Sequence, residues 1–238
     1  GNVKKTSMDQ YDRTRRDGLI AINLKDGDEL ISVKRVAKGE KVIMVSSAGK
    51  AILWDESEAR AMGRGTMGVR GMNVPADAHV LGMEIAKPGT DLFVITEKGY
   101  GKRTKIEEYP EHHRGGQGVY TITMTHKKGL LSVMKIVGPD DEIMIVSEDG
   151  VIVRTPVKGI SELGRSTQGV KVMNVADKDK VCAVAIASTG KKKAKKAAHA
   201  DENQMGLLEE ESEEGTLAID DLDDLDDDLG DEGEATEE

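Results

Sequence analysis

GKAILWDESEARAMGRGTMGVRGMNVPADAHVLGMEIA, residues 49–86, recurs along this chain in four diverged copies with almost no gaps. One mark of the repeat is a turn glycine leading a short segment: GNVKKT from Gly1, GKAILW from Gly49, GYGKRT from Gly99 and GVIVRT from Gly150, spaced by 48, 50 and 51 residues. A second glycine opens another stretch at Gly18-Leu19, Gly68-Val69, Gly118-Val119 and Gly169-Val170. Twelve residues after it stand Leu30, Val80, Leu130 and Val181, and fifteen after it Val33, Met83, Val133 and Val184. A period near fifty residues predicts a propeller-like or solenoid array, whose function lies in what each repeat presents outward.

Four strands are expected per copy. The runs before the turn glycine, Val42-Ile43-Met44-Val45-Ser46, Leu92-Phe93-Val94-Ile95-Thr96 and Ile143-Met144-Ile145-Val146-Ser147, are short, β-branched and apolar throughout. Such runs suit strands covered on both faces. The segment after the turn alternates and forms the second strand. A connection of 12 to 14 residues follows, long enough to read as functional. Two more strands follow the second glycine, at 19–24 with 30–36 in the first copy and 170–175 with 181–187 in the fourth. The expected fold is an all-β, propeller-like domain over 1–188, with four-stranded blades of about fifty residues at 1–37, 41–87, 91–137 and 141–187. The first blade is incomplete because the sequence opens at the turn glycine, which reads as a fragment of something longer. The repeat boundary is ambiguous by one strand, so exchange of strands between neighbouring blades stays open.

The remainder differs in composition. Residues 189–200 form a Lys-rich linker with KKKAKK at 191–196, and 201–238 hold 19 acidic residues and no Lys or Arg. That segment has no apolar run able to offset its ordering entropy, and disorder is expected there. The net charge of −10 therefore hides a division. Of 34 basic and 44 acidic residues, 5 and 19 fall in 191–238, leaving 29 against 25 in the preceding body. A mildly basic body suits a polyanionic partner, and the acidic tail imitates one.

The basic residues recur in register. Four residues past the turn glycine stand Lys5, Leu53, Arg103 and Arg154, with Lys4 and Lys102 beside the first and third. Four residues before the second glycine stand Arg64, Arg114 and Arg165, in RGTMG, RGGQG and RSTQG, and the first copy has Arg13, Arg15 and Arg16 nearby. Arg70 and Lys171 lie just past the second glycine. An arginine among small residues lets backbone approach a phosphate while the guanidinium forks onto its oxygens. A single such loop reads by default as a solvated arginine; the same offset in three copies of four points to a cationic edge that contacts a bent duplex. Single-strand binding fits poorly, because Trp54, Phe93, Tyr11, Tyr100, Tyr109 and Tyr120 are the only aromatics available for base stacking.

Other chemistry is not visible. Cys182 falls in the column of Ile31, Leu81 and Leu131 and reads as a small core residue. His112-His113 has no Cys or second His at ligand spacing. The run DDLDDLDDDL at 220–229 lacks the glycine and glutamate of a calcium loop. There is no nucleophile elbow and no phosphate-binding Gly-Lys-Ser/Thr loop. No run approaches the ~20 apolar residues of a membrane helix.

RAMGRGTMGVRGM (60–72), NVKKT (2–6), GYGKRT (99–104), EYP (108–110) and GRSTQGV (164–170) closely resemble the C-terminal domain of the bacterial DNA gyrase A protein, of the type IIA topoisomerases. The resemblance covers 1–188. It implies a β-pinwheel that binds, bends and wraps duplex DNA without sequence specificity around a basic rim. Arg64, Arg114, Arg165, Lys5, Arg103 and Arg154 would lie on that rim. It implies a non-catalytic fragment without cofactor, in a bacterial cytoplasmic, nucleoid-associated holoenzyme. There the rest of gyrase A and gyrase B, as A2B2, use ATP and Mg2+ for negative supercoiling. The sequence departs from the family's glutamine-arginine-glycine box, to which HRGGQG (113–118) is the nearest echo, and holds about four blades where the family ring usually has six. The related domain of topoisomerase IV and a protein-interaction propeller are the competing readings. An enzyme on a propeller would need a convergent polar cluster at the axis.

Overall fold

The computed structural model describes residues 1–12 and 18–187, all within one compact unit, Gly1–Thr189. The expected linker and acidic tail, and Arg13, Arg15 and Arg16, lie outside the described residues. Strands and short 3-10 turns are the only regular elements among those described.

Three hairpins carry the repeat: β2 (Lys41–Ser46) with β3 (Lys50–Asp55), β6 (Asp91–Thr96) with β7 (Tyr100–Lys105), and β10 (Glu142–Ser147) with β11 (Ile152–Pro156). Each closes at the turn glycine, whose N–H donates to the carbonyl of Ser46, Thr96 or Ser147 at 2.9–3.0 Å. On the other edge of β2, β6 and β10 pair β5 (Val80–Ala86), β9 (Leu131–Val137) and β13 (Val181–Ala187), all antiparallel and each with one register shift at the end of the leading strand.

The sheets of β2 and β6 each take a fourth strand from the next repeat, the first repeat's short strand is paired in the same way, and the sheet of β10, β11 and β13 has three strands. β4 (Val69–Arg70) pairs with β1 (Asn2–Val3), β8 (Val119–Tyr120) with β3, and β12 (Val170–Lys171) with β7. The second glycine makes this exchange possible. Gly118 has φ +71°, and a Cβ there would sit 2.1 Å from the Ala51 carbonyl oxygen of the preceding repeat. Beyond it, the N–H groups of Gly71, Thr121 and Val172 each donate 2.9 Å to the carbonyl of the preceding turn glycine, Gly1, Gly49 or Gly99.

The leading strands are apolar on both faces because both faces are covered. Ile43 and Val45 of β2 pack on Leu92 and Val94 of β6, while Val42 and Met44 pack with Trp54, Met72 and Val80 on the side of the first repeat. Phe93 and Ile95 then meet Ile143 and Ile145 of β10. The period of two thus assigns alternate residues to successive inter-repeat cores. The strands β5, β9 and β13 of successive repeats stand side by side.

Two sequence expectations need correction. Residues 19–24 and 30–36 of the first copy form no strand, and Leu30, Ile31 and Val33 are exposed. Their counterparts β5, β9 and β13 pair with leading strands; no leading strand of the first repeat is among the described residues to offer a ladder. Cys182 is exposed, because it is the extra residue at the register shift between Val181 and Ala183, across which Val181 and Val184 both turn inward.

Candidate nucleic-acid interface

Each long connection begins with a 3-10 turn, at Met8–Tyr11, Glu56–Glu58, Ile106–Glu108 and Val157–Gly159. Its later part lies against the segment that follows the second glycine of the preceding repeat. The N–H of Asn23 donates to Thr66 O at 3.2 Å, that of Asn73 to Gly116 O at 2.8 Å, and that of Thr123 to Thr167 O at 3.0 Å. Arginine-bearing loop and the segment past the second glycine therefore alternate as one belt across the repeats. Tyr120, Arg165, Ser166 and Glu108 line one cleft on it.

The sequence-predicted cations fall into three groups. Arg64, Arg165, Arg70 and Lys171 lie on the belt; the guanidinium groups of Arg64, Arg70 and Arg165 have no hydrogen-bond acceptor among the described residues, and Arg70 and Lys171 are exposed. Lys4 and Lys102 lie beneath the belt. Lys102 is 0% exposed and donates to the carbonyls of Gly164 (2.5 Å) and Arg165 (2.7 Å) and to Thr167 Oγ1 (3.0 Å). Burial pushes its pKa down to about 8. Lys4 donates to the carbonyls of Arg64 and Ala21.

The strand cations are paired internally. Arg103 bridges Asp91 at 2.5 Å and Glu162 of the next repeat at 2.7 Å, and its Nε donates to Ile160 O. Arg154 Nε donates to Glu142 at 2.8 Å, and Lys5 pairs with Glu56. Lys5 and Arg103 join adjacent repeats, and all three pair with carboxylates, Arg154 from an exposed position. Arg114 is also engaged: its Nε donates to Glu58 O and its Nη1 to Arg70 O, both at 2.9 Å.

Lys171 belongs to a set of lysines seated on tyrosines, whose other members, Lys50 and Lys128, sequence reasoning missed. The seam register places Lys50 opposite Tyr120 and Tyr100 opposite Lys171. Lys50 lies 5.2 Å from the Tyr120 ring, and Lys128 and Lys171 lie 4.8 and 4.7 Å from that of Tyr100. The aromatic face holds each ammonium on the belt without neutralising it. The available signal was positional for all but Lys128: Lys50 and Tyr100 directly follow the turn glycine, and Tyr120 and Lys171 stand two past the second glycine.

On the inner strands, Glu84 pairs with Lys34 at 2.7 Å and stands 3.6 Å from Lys135. This cluster is a charge-balancing one; no cysteine, serine or histidine stands among its ion pairs.

A family model described as DNA gyrase C-terminal domain, beta-propeller matches residues 1–37, 40–87, 90–127 and 141–188. The DNA gyrase A protein of Salmonella typhimurium is 40% identical over 181 residues, covering 76% of this chain and 21% of the relative. That of Mycobacterium tuberculosis is 38% identical over 187 residues, covering 78% and 22%. The chain thus spans about a fifth of the length of these relatives. A crystal structure of the C-terminal domain of DNA topoisomerase IV superposes with TM-score 0.78 at 25% identity, covering 85% of this chain and 64% of that one. A structure of the DNA gyrase A C-terminal domain superposes with TM-score 0.66 at 32% identity, covering 73% and 59%. The exchanged strands, the glycine-marked repeat and these matches agree: the chain belongs to the DNA gyrase C-terminal domain family of β-propellers.

Proposed function

We propose that this chain binds duplex DNA through backbone phosphates along the belt and bends it across successive repeats. It would serve as a non-catalytic part of a gyrase A protein that supports ATP-dependent negative supercoiling in an A2B2 holoenzyme of the bacterial cytoplasm. The observation that carries this reading is the continuity of the belt, with uncompensated cations recurring along it. Phosphate contact needs cations at intervals and flexible backbone that can approach the duplex. ATP and Mg2+ chemistry is assigned to the rest of the holoenzyme. The acidic residues 201–238 would compete with phosphate for the same cations. The topoisomerase IV domain is the second reading, favoured by its backbone superposition; the higher identity to gyrase A relatives weighs against it.

The test is duplex affinity against salt with a bending readout, beside a single strand of equal length. Affinity falling steeply with salt, a bent duplex and a weaker single strand are expected. Affinity indifferent to salt, or a preference for the single strand, would overturn the reading.

A further inference from the structure

The residue three past the turn glycine underlies the loop of the next repeat. In order it is Lys4, Ile52 and Lys102. The loop residue two before the second glycine varies with it: Thr66 over Lys4, Gly116 over Ile52, Thr167 over Lys102. Where the underlying residue is lysine, its ammonium takes loop carbonyls from below. Lys102 meets three oxygens, which matches the three N–H donors of an ammonium. Where it is isoleucine, no donor is available: a Cβ on Gly116 would lie 3.5 Å from Ile52 Cδ1, and that contact is apolar. The third-repeat loop is held instead by its own arginine. The N–H of Arg114 donates to Glu58 Oε2 at 2.8 Å, and its guanidinium donates to Glu58 O and Arg70 O.

We propose that Lys4 and Lys102 are positioning residues that anchor the loops from beneath and so leave Arg64 and Arg165 free for phosphate, whereas Arg114 is the anchor of its own loop. Homologous arginines in the repeat therefore do different work, decided by a residue in the preceding repeat. The assignment of Arg64 and Arg165 to phosphate rests on the DNA-binding reading above; the anchoring does not.

The experiment pairs hydrogen exchange of the full chain with duplex affinity against salt, for Lys102→Met, Arg114→Ala and Arg165→Ala. Loss of an anchor speeds exchange of that loop alone by about tenfold, the cost of a buried hydrogen bond. Lys102→Met should do this at 164–168 and Arg114→Ala at 114–118. Arg165→Ala should leave exchange unchanged and lower the salt slope by about one phosphate contact. Unchanged exchange at 164–168 in Lys102→Met would overturn the anchor. A slope lowered by Arg114→Ala with exchange unchanged would make Arg114 a contact. If Lys102→Met does not fold, Thr167→Val removes one acceptor and carries the same exchange test. Absence of duplex binding by the unmodified chain would sink the DNA reading and leave the exchange result to judge anchoring.

Discussion

The ammonium of Lys102 meets three oxygens and is shielded from water, and that enclosure sets a pH dependence. Its pKa is pushed down to about 8, against about 10.4 for an unfolded lysine. At pH 7 both states carry the proton. Above pH 8 the folded chain releases it first, so the unfolded state binds more protons and stability rises with pH. Relative to Lys102→Met, the chain should gain about 2 kcal/mol between pH 7 and 9.5, measured by urea denaturation. Burial pushes the Tyr109 phenol up to about 12 in the folded state, and its contribution, common to both chains, cancels in the comparison with Lys102→Met. A difference that stays flat or falls over this range would contradict the enclosure. The strand cations show how far residues are legible in sequence. Arg103 and Arg154 recur in register and suggest an outward row, yet Asp91 and Glu142 stand eight residues before the same turn glycines, and the copy with Leu53 has Lys41 there. The hairpin brings those positions together, so the pairing was written in the sequence but needed the register to be seen. Nothing comparable marked Lys102 as buried. Only the fold shows that a loop from the next repeat covers it.

At the scale of elements, the hairpins and their partner strands were readable because apolar runs, turn glycines and strand length all agree. The exchanged strands were not, because two residues carry no periodicity. Their trace is the second glycine, needed for two separable reasons. Gly118 and Gly18 share positive φ, at 71° and 79°. A Cβ on Gly118 would strike the Ala51 carbonyl oxygen at 2.1 Å, whereas one on Gly18 meets nothing within 4 Å. Gly18→Ala should therefore cost only the strain of its backbone, about 1 kcal/mol. Gly118→Ala adds displacement of β8 from β3 and should cost about 3 kcal/mol or more. Denaturation followed by Trp54, the single tryptophan and a buried one, measures both. Equal costs would mean that the close approach is relieved by movement of the exchanged strand. Residues 30–36 mark the opposite limit. Their pattern matches β5, β9 and β13, but pattern alone does not supply a ladder partner, and without one their apolar side chains stay exposed.

Across the whole molecule, charge is divided between a body with 29 basic and 25 acidic residues and a terminal segment with 5 and 19. Lys50, Arg64, Arg70, Lys128, Arg165 and Lys171 are the belt cations without a carboxylate partner among the described residues. If each neutralised one phosphate, log affinity would fall with log salt at a slope of about −5. A tethered acidic segment that competes with phosphate would change both the affinity and this slope. If it competes for the belt, as proposed above, a local concentration of order millimolar would let it occupy cations that a phosphate would otherwise reach. DNA would then displace the segment rather than small ions, and fewer counterions would be released per complex. Deleting residues 201–238 should therefore raise duplex affinity at about 100 mM salt and steepen the slope toward −5. Affinity and slope both unchanged by the deletion would show that the acidic segment does not reach the belt.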